Sequence, residues 1–320
     1  ADEKGIHYDL IHSHYWMSGL AAASLSDLWA GAPILHMFHT LGEMKNRTAR
    51  SDSEREGTYR VEGEKSVLKR ADRLIVATEA EKAQLQWLYK GDLRKMEVIP
   101  PGVDVCHFYP IPKDEARQFI GLAPNQRMVL FVGRIEPLKG VDTLIRAMSY
   151  LEFQEVAHPV YLAVIGGEPD AEPEDMSAEM ARLQQLCDDL AMGQTVVFLG
   201  KRAQDTLPYY YSAADVLVMP SFYESFGMVA LEAMACGTPV IASQVGGLAF
   251  LVRDGETGYT DPEGDPSALC DKLTLLLCDQ ELRAQMGVSA ERYAQGYRWE
   301  TIASRIANVY QELLGNKEQV

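Results

Sequence analysis

The residue types that can do chemistry are concentrated at a few predicted strand-to-helix loops. Glu224 lies at one of them, because the apolar run that ends at Met219 predicts a strand and Ser225 is a favourable N-cap for a helix that runs to Cys236. Open α/β sheets bind their ligands in the loops at the carboxyl ends of their strands. Glu224 is therefore a candidate ligand-binding residue.

The predicted helix behind Glu224 adds two further features. Its first N–H groups have no partner within the helix and can bind a phosphate; they belong to Phe226, Gly227 and Met228. Glu232 lies about two turns into the helix and can accept hydrogen bonds from a ribose diol. The alternative is a capping carboxylate at Glu224 and a surface glutamate at Glu232. The combination of both with the strand-helix junction favours the ligand.

A second loop carries two cations, Arg134 and Lys139. It follows an apolar run that ends at Gly133, and a helix is expected to begin near Val141. Two cations at such a loop can neutralise a diphosphate leaving group. Taken alone, such cations are more often simply solvated, but here they accompany another loop suited to an anion. No Gly-x-Gly-x-x-Gly is present, so the dinucleotide-binding fingerprint is absent.

Four histidines, His12, His14, His36 and His39, lie on the first two predicted strands. They lack the helical spacing of metal ligands, so we expect no metal site. His39, followed by Thr40, ends its strand, where an imidazole can hydrogen-bond a sugar hydroxyl. We expect His12 and His36 to lie in the core or to support the site from behind.

Short apolar runs alternate with amphipathic stretches along the whole chain, and this alternation predicts an α/β fold with parallel sheets. In the first half we expect these strands and helices: strands 8–14, 33–40, 73–77 and 96–99, and helices 19–29, 54–70 and 80–89, with a loop over 41–53. In the second half we expect these strands: 128–132, 161–165, 196–199, 216–219 and 239–242.

The segment Val103–Asn125 contains three prolines and is the natural linker between two doubly wound domains. The first domain has about four predicted strands and begins abruptly, whereas such a domain usually has about six. We therefore expect its N-terminal strands to lie outside this chain.

The composition excludes several classes of protein. The 320 residues are 47% hydrophobic, and the formal net charge is −16, which disfavours binding to nucleic acid. No apolar run reaches the roughly 20 residues of a membrane helix, although association with a membrane surface stays open. The five cysteines are scattered and odd in number, which favours a cytoplasmic protein with free thiols. The sequence does not indicate an oligomeric state.

Several of these motifs together resemble a known family. Gly133-Arg134 with Lys139-Gly140, the span from Glu224 to Glu232, and Gly237-Thr238-Pro239-Val240 resemble the signature of glycosyltransferase family 4, whose members are retaining GT-B enzymes. The stretch from His12 to Gly19, with His39-Thr40-Leu41 and Lys45-Asn46, is similar to the branch that holds D-inositol-3-phosphate glycosyltransferase and sucrose-phosphate synthase.

The resemblance implies two Rossmann-like domains that face a cleft, the first of them incomplete. It implies an acceptor-side domain at 1–110, a nucleotide-sugar domain at 111–296 and a crossing helix at 297–320. The expected substrates are a nucleotide-diphosphate sugar, with UDP as its nucleotide, and a small phosphorylated polyol or sugar; neither metal nor cofactor is implied. Because the first domain is incomplete, we expect this chain alone to bind a nucleotide diphosphate without transferring sugar at a useful rate.

The resemblance also implies roles for individual residues. The implied catalytic residues are His39, Arg134, Lys139 and Glu224. The implied donor-binding residues are Arg134, Lys139, Arg202, Glu224, Ser225, Phe226, Gly227, Met228 and Glu232. The implied acceptor-binding residues are Thr40, Lys45 and Arg60. Arg60 is read alternatively as a solvated cation on a charged helix. The alternatives for the whole chain are a GT-B enzyme with a lipid-linked or polysaccharide acceptor, and a non-catalytic fragment that binds nucleotide sugar.

Overall fold

The structure is a computed structural model that describes residues 8–49, 52–151, 154, 156–172 and 174–315. These residues form two compact units. One consists of the described residues up to Gly102 together with those from Trp299 onward, and the other is Val103–Arg298.

The boundary between the two units falls after Gly102, before the boundary that we expected at residue 110. The cause is local: the Val103 N–H donates to the carbonyl of Tyr297 over 2.7 Å, and the Ile111 N–H donates to Ser212 Oγ over 3.1 Å. The segment after Gly102 therefore belongs to the second unit.

The first unit has a parallel sheet of four described strands in the order β1-β2-β3-β4. Its elements up to Gly102 are β1 (Ile11–His14), α1 (Tyr15–Leu28), β2 (Ile34–Met37), α2 (Gly42–Thr48), α3 (Thr58–Arg70), β3 (Arg73–Val76), α4 (Glu79–Tyr89) and β4 (Met96–Val98). Short 3-10 turns lie at Asp52–Glu54 and Leu93–Lys95.

Helix α2 stands where we expected a loop. Its first N–H group, on Gly42, donates to both carboxylate oxygens of Glu64 on α3, over 3.0 and 3.1 Å. A helix N-terminus must find acceptors for its free N–H groups. Here the acceptor comes from another helix, so the local sequence did not reveal it.

The second unit has a parallel sheet of six described strands in the order β10-β9-β8-β5-β6-β7. Its elements are α5 (Lys113–Ile120), β5 (Arg127–Val132), α6 (Val141–Leu151), β6 (Val160–Ile165), α7 (Ala178–Asp189), β7 (Val196–Gly200), α8 (Leu207–Ala213), β8 (Val216–Met219), α9 (Met228–Ala235), β9 (Val240–Ser243), α10 (Leu248–Leu251), β10 (Gly258–Asp261), α11 (Pro266–Cys278) and α12 (Gln280–Ala294). Further 3-10 turns lie at Pro137–Lys139, Gln204–Thr206 and Gln295–Tyr297. The expected linker thus contains α5, and β10 is a strand that we did not predict.

The strand order makes the second unit a doubly wound fold whose chain direction across the sheet reverses between β5 and β8. Such folds bind ligands at the carboxyl ends of the two strands that flank the reversal. The fold therefore predicts a ligand site at the loops that follow Val132 and Met219.

The first unit is completed by α13 (Trp299–Gly315). Ile302, Val309 and Leu313 of this helix pack against one face of its sheet, on Leu35 and Ile75. The opposite face packs against α1 and α3 in a separate apolar cluster. The two faces are covered as a parallel sheet requires. None of the described helices is long and apolar enough to span a bilayer.

Candidate functional site

The loops at the reversal of the second sheet enclose a cavity of about 280 Å³. Its lining includes Gly133, Arg134, Lys139, Ser221, Glu224, Ser225, Phe226, Gly227 and Met228. We call it the donor cavity. It brings together seven of the residues that the sequence analysis assigned to donor binding, from both predicted loops.

An ion pair joins the two loops. Lys139 Nζ lies 2.6 Å from Glu224 Oε2, and each side chain is 16% exposed. Arg134 is different: its side chain is 75% exposed and its Nη1 lies 2.6 Å from Glu136 Oε1. The cavity therefore holds one half-buried cation beside a carboxylate and a second cation that is largely exposed and paired with Glu136.

A close backbone contact holds Lys139 in place. The Phe222 N–H donates to the carbonyl of Leu138 over 2.9 Å. Gly140 has φ +64°, and a Cβ there would lie 2.0 Å from the carbonyl oxygen of Pro220. Only glycine fits this contact without displacement. The pairing of Lys139 with Glu224 is thus fixed by the backbone as well as by charge.

Helix α9 begins at Met228, later than the sequence predicted, and Ser225 is not its N-cap. The N-cap is Gly227, with φ +107°. A Cβ on Gly227 would lie 2.5 Å from Leu248 Cδ2, so the site requires glycine for both its conformation and its space. The segment Glu224–Phe226 consequently forms a loop, and the free N–H groups at the start of α9 belong to Met228 and its successors.

A glycine turn that we did not predict as part of the site supports this loop. The Gly247 N–H donates to the carbonyl of Glu224 over 2.9 Å. A Cβ on Gly246 would lie 2.0 Å from the same carbonyl oxygen, and one on Gly247 would lie 2.4 Å from Phe226 Cα. The Gly-Gly pair that follows β9 was the available signal in the sequence.

Glu232 lies on α9, outside the lining of the donor cavity. Its Oε2 accepts a hydrogen bond of 2.8 Å from the hydroxyl of Tyr211, a fully buried residue of α8. Burial raises the pKa of the Glu232 carboxyl. Tyr211 was missed by the sequence analysis, since nothing local to either residue connects the two.

Arg202 lies at a different cavity, of about 390 Å³, that adjoins the carboxyl ends of β6 and β7. Its Nε donates to the hydroxyl of Tyr210 over 2.9 Å. Its neighbour Lys201 pairs with Glu168 over 2.6 Å. The structure therefore separates Arg202 from the cavity that holds Lys139 and Glu224.

Two histidines of the first unit lie side by side. His14 Nδ1 and His39 Nε2 are 2.9 Å apart, and the rings stack with centroids 5.1 Å apart. His39 has φ +64°, which places it just beyond β2 in the left-handed region. Burial lowers the pKa of both imidazoles, and the charge of His14 lowers that of His39 further.

The other two histidines are more enclosed. His36 is fully buried, and its Nδ1 lies 2.8 Å from Ser13 Oγ. Burial, followed by the charges of the neighbouring histidines, lowers the pKa of His36 to about 3 and that of His12 to about 4. His12 Nδ1 lies 2.7 Å from the hydroxyl of Tyr310 on α13. The expectation that these two histidines lie in or near the core agrees with their burial.

The predicted acceptor residues are also brought together. Arg60 donates to Thr40 Oγ1 over 3.0 Å and lies 3.0 Å from Glu64 Oε1 and 2.5 Å from Glu56 Oε1. Lys45 Nζ lies 2.8 Å from the same Glu56 oxygen. Arg60 is only 1% exposed, so its interpretation as a solvated cation is wrong. Glu56, which the sequence analysis did not single out, neutralises both cations.

Within the described residues, no group of three or more His, Cys, Asp or Glu side chains is placed to hold a metal ion.

Two units that are each built on a parallel sheet, with these loops in the second one, are the architecture of a GT-B glycosyltransferase. Residues 112–293 match the family described as Glycosyl transferases group 1, and residues 2–106 match the family described as Glycosyltransferase Family 4. The chain belongs to the group 1 glycosyltransferase family.

Two curated relatives are also glycosyltransferases. The chain is 40% identical over 306 residues to D-inositol 3-phosphate glycosyltransferase 2 of Catenulispora acidiphila, covering 95% of this chain and 70% of the relative. It is also 40% identical over 314 residues to D-inositol 3-phosphate glycosyltransferase of Salinispora arenicola, covering 96% and 69% respectively.

Two solved structures are similar over nearly the whole chain. Sucrose-phosphate synthase of Thermosynechococcus elongatus has a TM-score of 0.85 at 36% identity and covers 97% of this chain and 74% of its own. Anabaena Alr3699/HepE, solved in complex with UDP and glucose, has a TM-score of 0.80 at 25% identity and covers 95% and 78% respectively.

Proposed function

We propose that this glycosyltransferase transfers a sugar, with retention of configuration and without a metal, from a UDP-sugar to a small phosphorylated polyol or sugar. The observation that carries the donor half is the Lys139–Glu224 pair in the donor cavity, where a cation and a carboxylate lie 2.6 Å apart. A diphosphate needs the cation, and the hydroxyls of the transferred sugar need the carboxylate.

The donor would be held by both loops. Lys139 and Arg134 bind the diphosphate together with the N–H groups at the start of α9, where the positive end of the helix dipole lies. Glu224 accepts hydrogen bonds from the sugar hydroxyls, and Glu232 accepts them from the ribose. Arg202 lies beside the base. The similarity to a structure that contains UDP and glucose supports this assignment.

The acceptor half rests on Arg60, Lys45 and Thr40. Lys45 and Arg60 both pair with Glu56, and Arg60 pairs with Glu64 as well, so a phosphate would take the place of Glu56 on these two cations. The names of the relatives, which specify D-inositol 3-phosphate, support a phosphorylated polyol. His39 would lie beside the transferred sugar.

In the proposed reaction the acceptor oxygen attacks the anomeric carbon from the face on which the leaving group departs. The bond between that carbon and the phosphate oxygen breaks, and the leaving diphosphate takes the proton of the acceptor hydroxyl. Negative charge develops on the diphosphate, where Lys139 and Arg134 stabilise it most in the transition state.

The donor assignment is tested by calorimetric titration of UDP into the wild-type chain, Lys139→Met and Arg146→Met. Loss of a charged hydrogen bond weakens binding by about tenfold to hundredfold. We expect that loss for Lys139→Met only, since Arg146 is exposed on α6. Equal UDP affinity of wild type and Lys139→Met would reject the donor cavity.

The acceptor assignment is tested in the full-length protein by transfer from UDP-sugars to inositol 3-phosphate and to inositol, with the anomeric configuration of the product determined by NMR. Faster transfer to the phosphorylated acceptor and a retained configuration are expected. Equal rates would reject the phosphate site, and transfer only to a lipid-linked or polysaccharide acceptor would favour that alternative class.

A further inference from the structure

A second and larger cavity, of about 590 Å³, lies at the opposite edge of the sheet of the second unit from the donor cavity. It adjoins the residues that precede or begin three strands: Arg127 begins β5, Asp215 precedes β8 and Pro239 precedes β9. We call it the Asp215 cavity. The proposed donor and acceptor chemistry uses none of its residues.

The inner end of the Asp215 cavity holds four cations around one buried carboxylate. Lys113 Nζ and Arg117 Nη2 each lie 2.9 Å from an oxygen of Asp215. Arg283 Nε and Arg127 Nη1 lie farther from Asp215 Oδ1, at 3.5 and 3.6 Å. A single carboxylate cannot give good hydrogen bonds to all four, so positive charge remains in excess.

Three of the four cations have further hydrogen-bond partners. Arg283 donates from its Nη1 to the carbonyls of Leu276 and Leu277. Arg117 also donates to the carbonyls of Ala213, Pro124 and Gln126, and Lys113 donates to that of Ala214. Arg127 differs from these cations in its hydrogen bonding. Its side chain is only 14% exposed, and its buried Nε has no hydrogen-bond partner among the described residues.

An unpartnered buried donor indicates a missing acceptor. Such a group costs about 1–3 kcal/mol when it is left unsatisfied. A structural ion-pair centre would explain Lys113, Arg117 and Asp215, but it leaves Arg127 unexplained. An anion at the cavity would accept from Arg127 and lie close to Arg283.

The titration properties of the cations agree with this charge imbalance. Burial lowers the pKa of Lys113, and Arg117 and Arg283 lower it further. Burial also lowers the pKa of Arg283, with contributions from Arg127 and Arg117. A second anion would relieve this repulsion between neighbouring cations.

The outer part of the cavity differs in character. Ile111, Pro239 and Val288 supply apolar surface, and the carboxylates of Asp114 and Glu291 lie at the lining as well. Apolar walls suit the carbon skeleton of a small molecule, and carboxylates accept hydrogen bonds from hydroxyl groups. The volume lies in the usual range for small-molecule sites.

We propose that the Asp215 cavity binds a small phosphorylated sugar or polyol, with its phosphoryl group on Arg127, Arg283 and Lys113 and its hydroxyls toward Asp114 and Glu291. The site is separate from the donor cavity, and the proposal does not depend on the reaction proposed above.

The test uses glucose 6-phosphate as the probe and glucose as the unphosphorylated comparator, with UDP present in saturating amount. Hydrogen exchange followed by mass spectrometry gives the location of binding. We expect glucose 6-phosphate to protect peptides from α5 and α12, and glucose to leave them unchanged. Arg127→Gln should weaken this protection by about tenfold or more, because a charged donor is lost. UDP affinity should be the same in wild type and Arg127→Gln.

A second variant keeps the test decisive if Arg127→Gln fails to fold. Ala284 lines the cavity from an exposed position on α12, so Ala284→Glu adds a competing carboxylate without changing the ion pairs of Asp215. It should also weaken protection by glucose 6-phosphate, whereas Ala284→Gln should weaken it far less. The proposal is overturned if α5 and α12 are not protected, if glucose protects them equally, or if Ala284→Glu binds the probe as wild type does.

Discussion

The hydroxyl of Tyr211 donates a hydrogen bond of 2.8 Å to Glu232 Oε2, and this bond connects α8 to α9. Tyr211 is fully buried, while Glu232 keeps part of its surface exposed. The carboxylate therefore has one oxygen held by the protein, and its remaining acceptor capacity is available to a ligand.

Substitution Glu232→Ala is expected to weaken UDP binding by about tenfold to hundredfold, because a charged acceptor for the ribose is lost. It also leaves the buried Tyr211 hydroxyl without its partner, which costs about 1–3 kcal/mol of stability. Calorimetry with UDP measures the first effect and urea unfolding the second. Tyr211→Phe is the matched control, since it retains the carboxylate and should change UDP affinity much less. Unchanged UDP affinity in a folded Glu232→Ala variant would remove Glu232 from the ribose site.

Gly246→Ala is expected to displace the loop that carries Glu224. The new Cβ would lie 2.0 Å from the Glu224 carbonyl oxygen, at a residue with φ +47°. Strain of this kind costs about 1–3 kcal/mol, and the affinity for UDP should fall because the Lys139–Glu224 pair is disturbed.

The variant Gly255→Ala is a control that distinguishes the effect of a steric clash from the effect of backbone strain. Gly255 has φ +76°, but a Cβ there meets no atom within 4 Å. Both variants should lose stability, and only Gly246→Ala should lose UDP affinity in calorimetric titration. A Gly255→Ala variant with equally weak UDP binding would mean that general destabilisation, rather than the Glu224 loop, causes the loss.

The sequence predicted the strands that position the donor cavity because their apolar runs are continuous, as β5 and β8 show. It did not predict β10, whose residues Gly258-Tyr259-Thr260-Asp261 carry no apolar run; the strand exists because it pairs with β9. Short edge strands of this kind depend on tertiary pairing more than on their own composition.

The sequence indicated which candidate residues follow a strand directly, but not the environment that distant groups give them. Their roles in binding stay predictions. Ser225 is a good N-cap by residue type, yet the contact of Gly227 with Leu248 moves the helix start to Met228. A solvated Arg60 stayed open as the alternative to an acceptor ligand, because its burial comes from tertiary contacts with Thr40 and the Tyr15 ring. Sequence spacing gives no distance between such elements.

Glu56→Gln is expected to raise the affinity for a phosphorylated acceptor. Glu56 Oε1 pairs with both Lys45 and Arg60, and it competes with a phosphate for these cations. The amide keeps a hydrogen-bonding oxygen but removes the charge, so the KM for inositol 3-phosphate should fall several-fold while kcat changes little. Glu62→Gln, on the exposed side of α3, is the control. A rise in KM for Glu56→Gln would instead assign Glu56 the role of holding the two cations in position.

The buried histidines are expected to make the first unit acid-sensitive. The pKa of His36 is about 3 and that of His12 about 4, both below the ordinary value of 6.5. Their stabilising effect is therefore fully present above about pH 6.5 and is lost as the pH falls, because the unfolded chain binds protons that the folded unit excludes. Each histidine contributes a slope of about 1.4 kcal/mol per pH unit between its unfolded and folded pKa.

All four tryptophans, Trp16, Trp29, Trp87 and Trp299, belong to the first unit, so their fluorescence reports its unfolding separately from that of the second unit. Urea unfolding at about pH 7, 6 and 5 should show a free energy of unfolding that falls with pH in the wild type. His36→Gln should lose about 1.4 kcal/mol per pH unit of that slope below pH 6.5, because one strongly shifted imidazole is gone. His158→Gln, at an exposed position of the second unit, should retain the full slope. Equal slopes for wild type and His36→Gln would mean that His36 takes up its proton without unfolding the first unit.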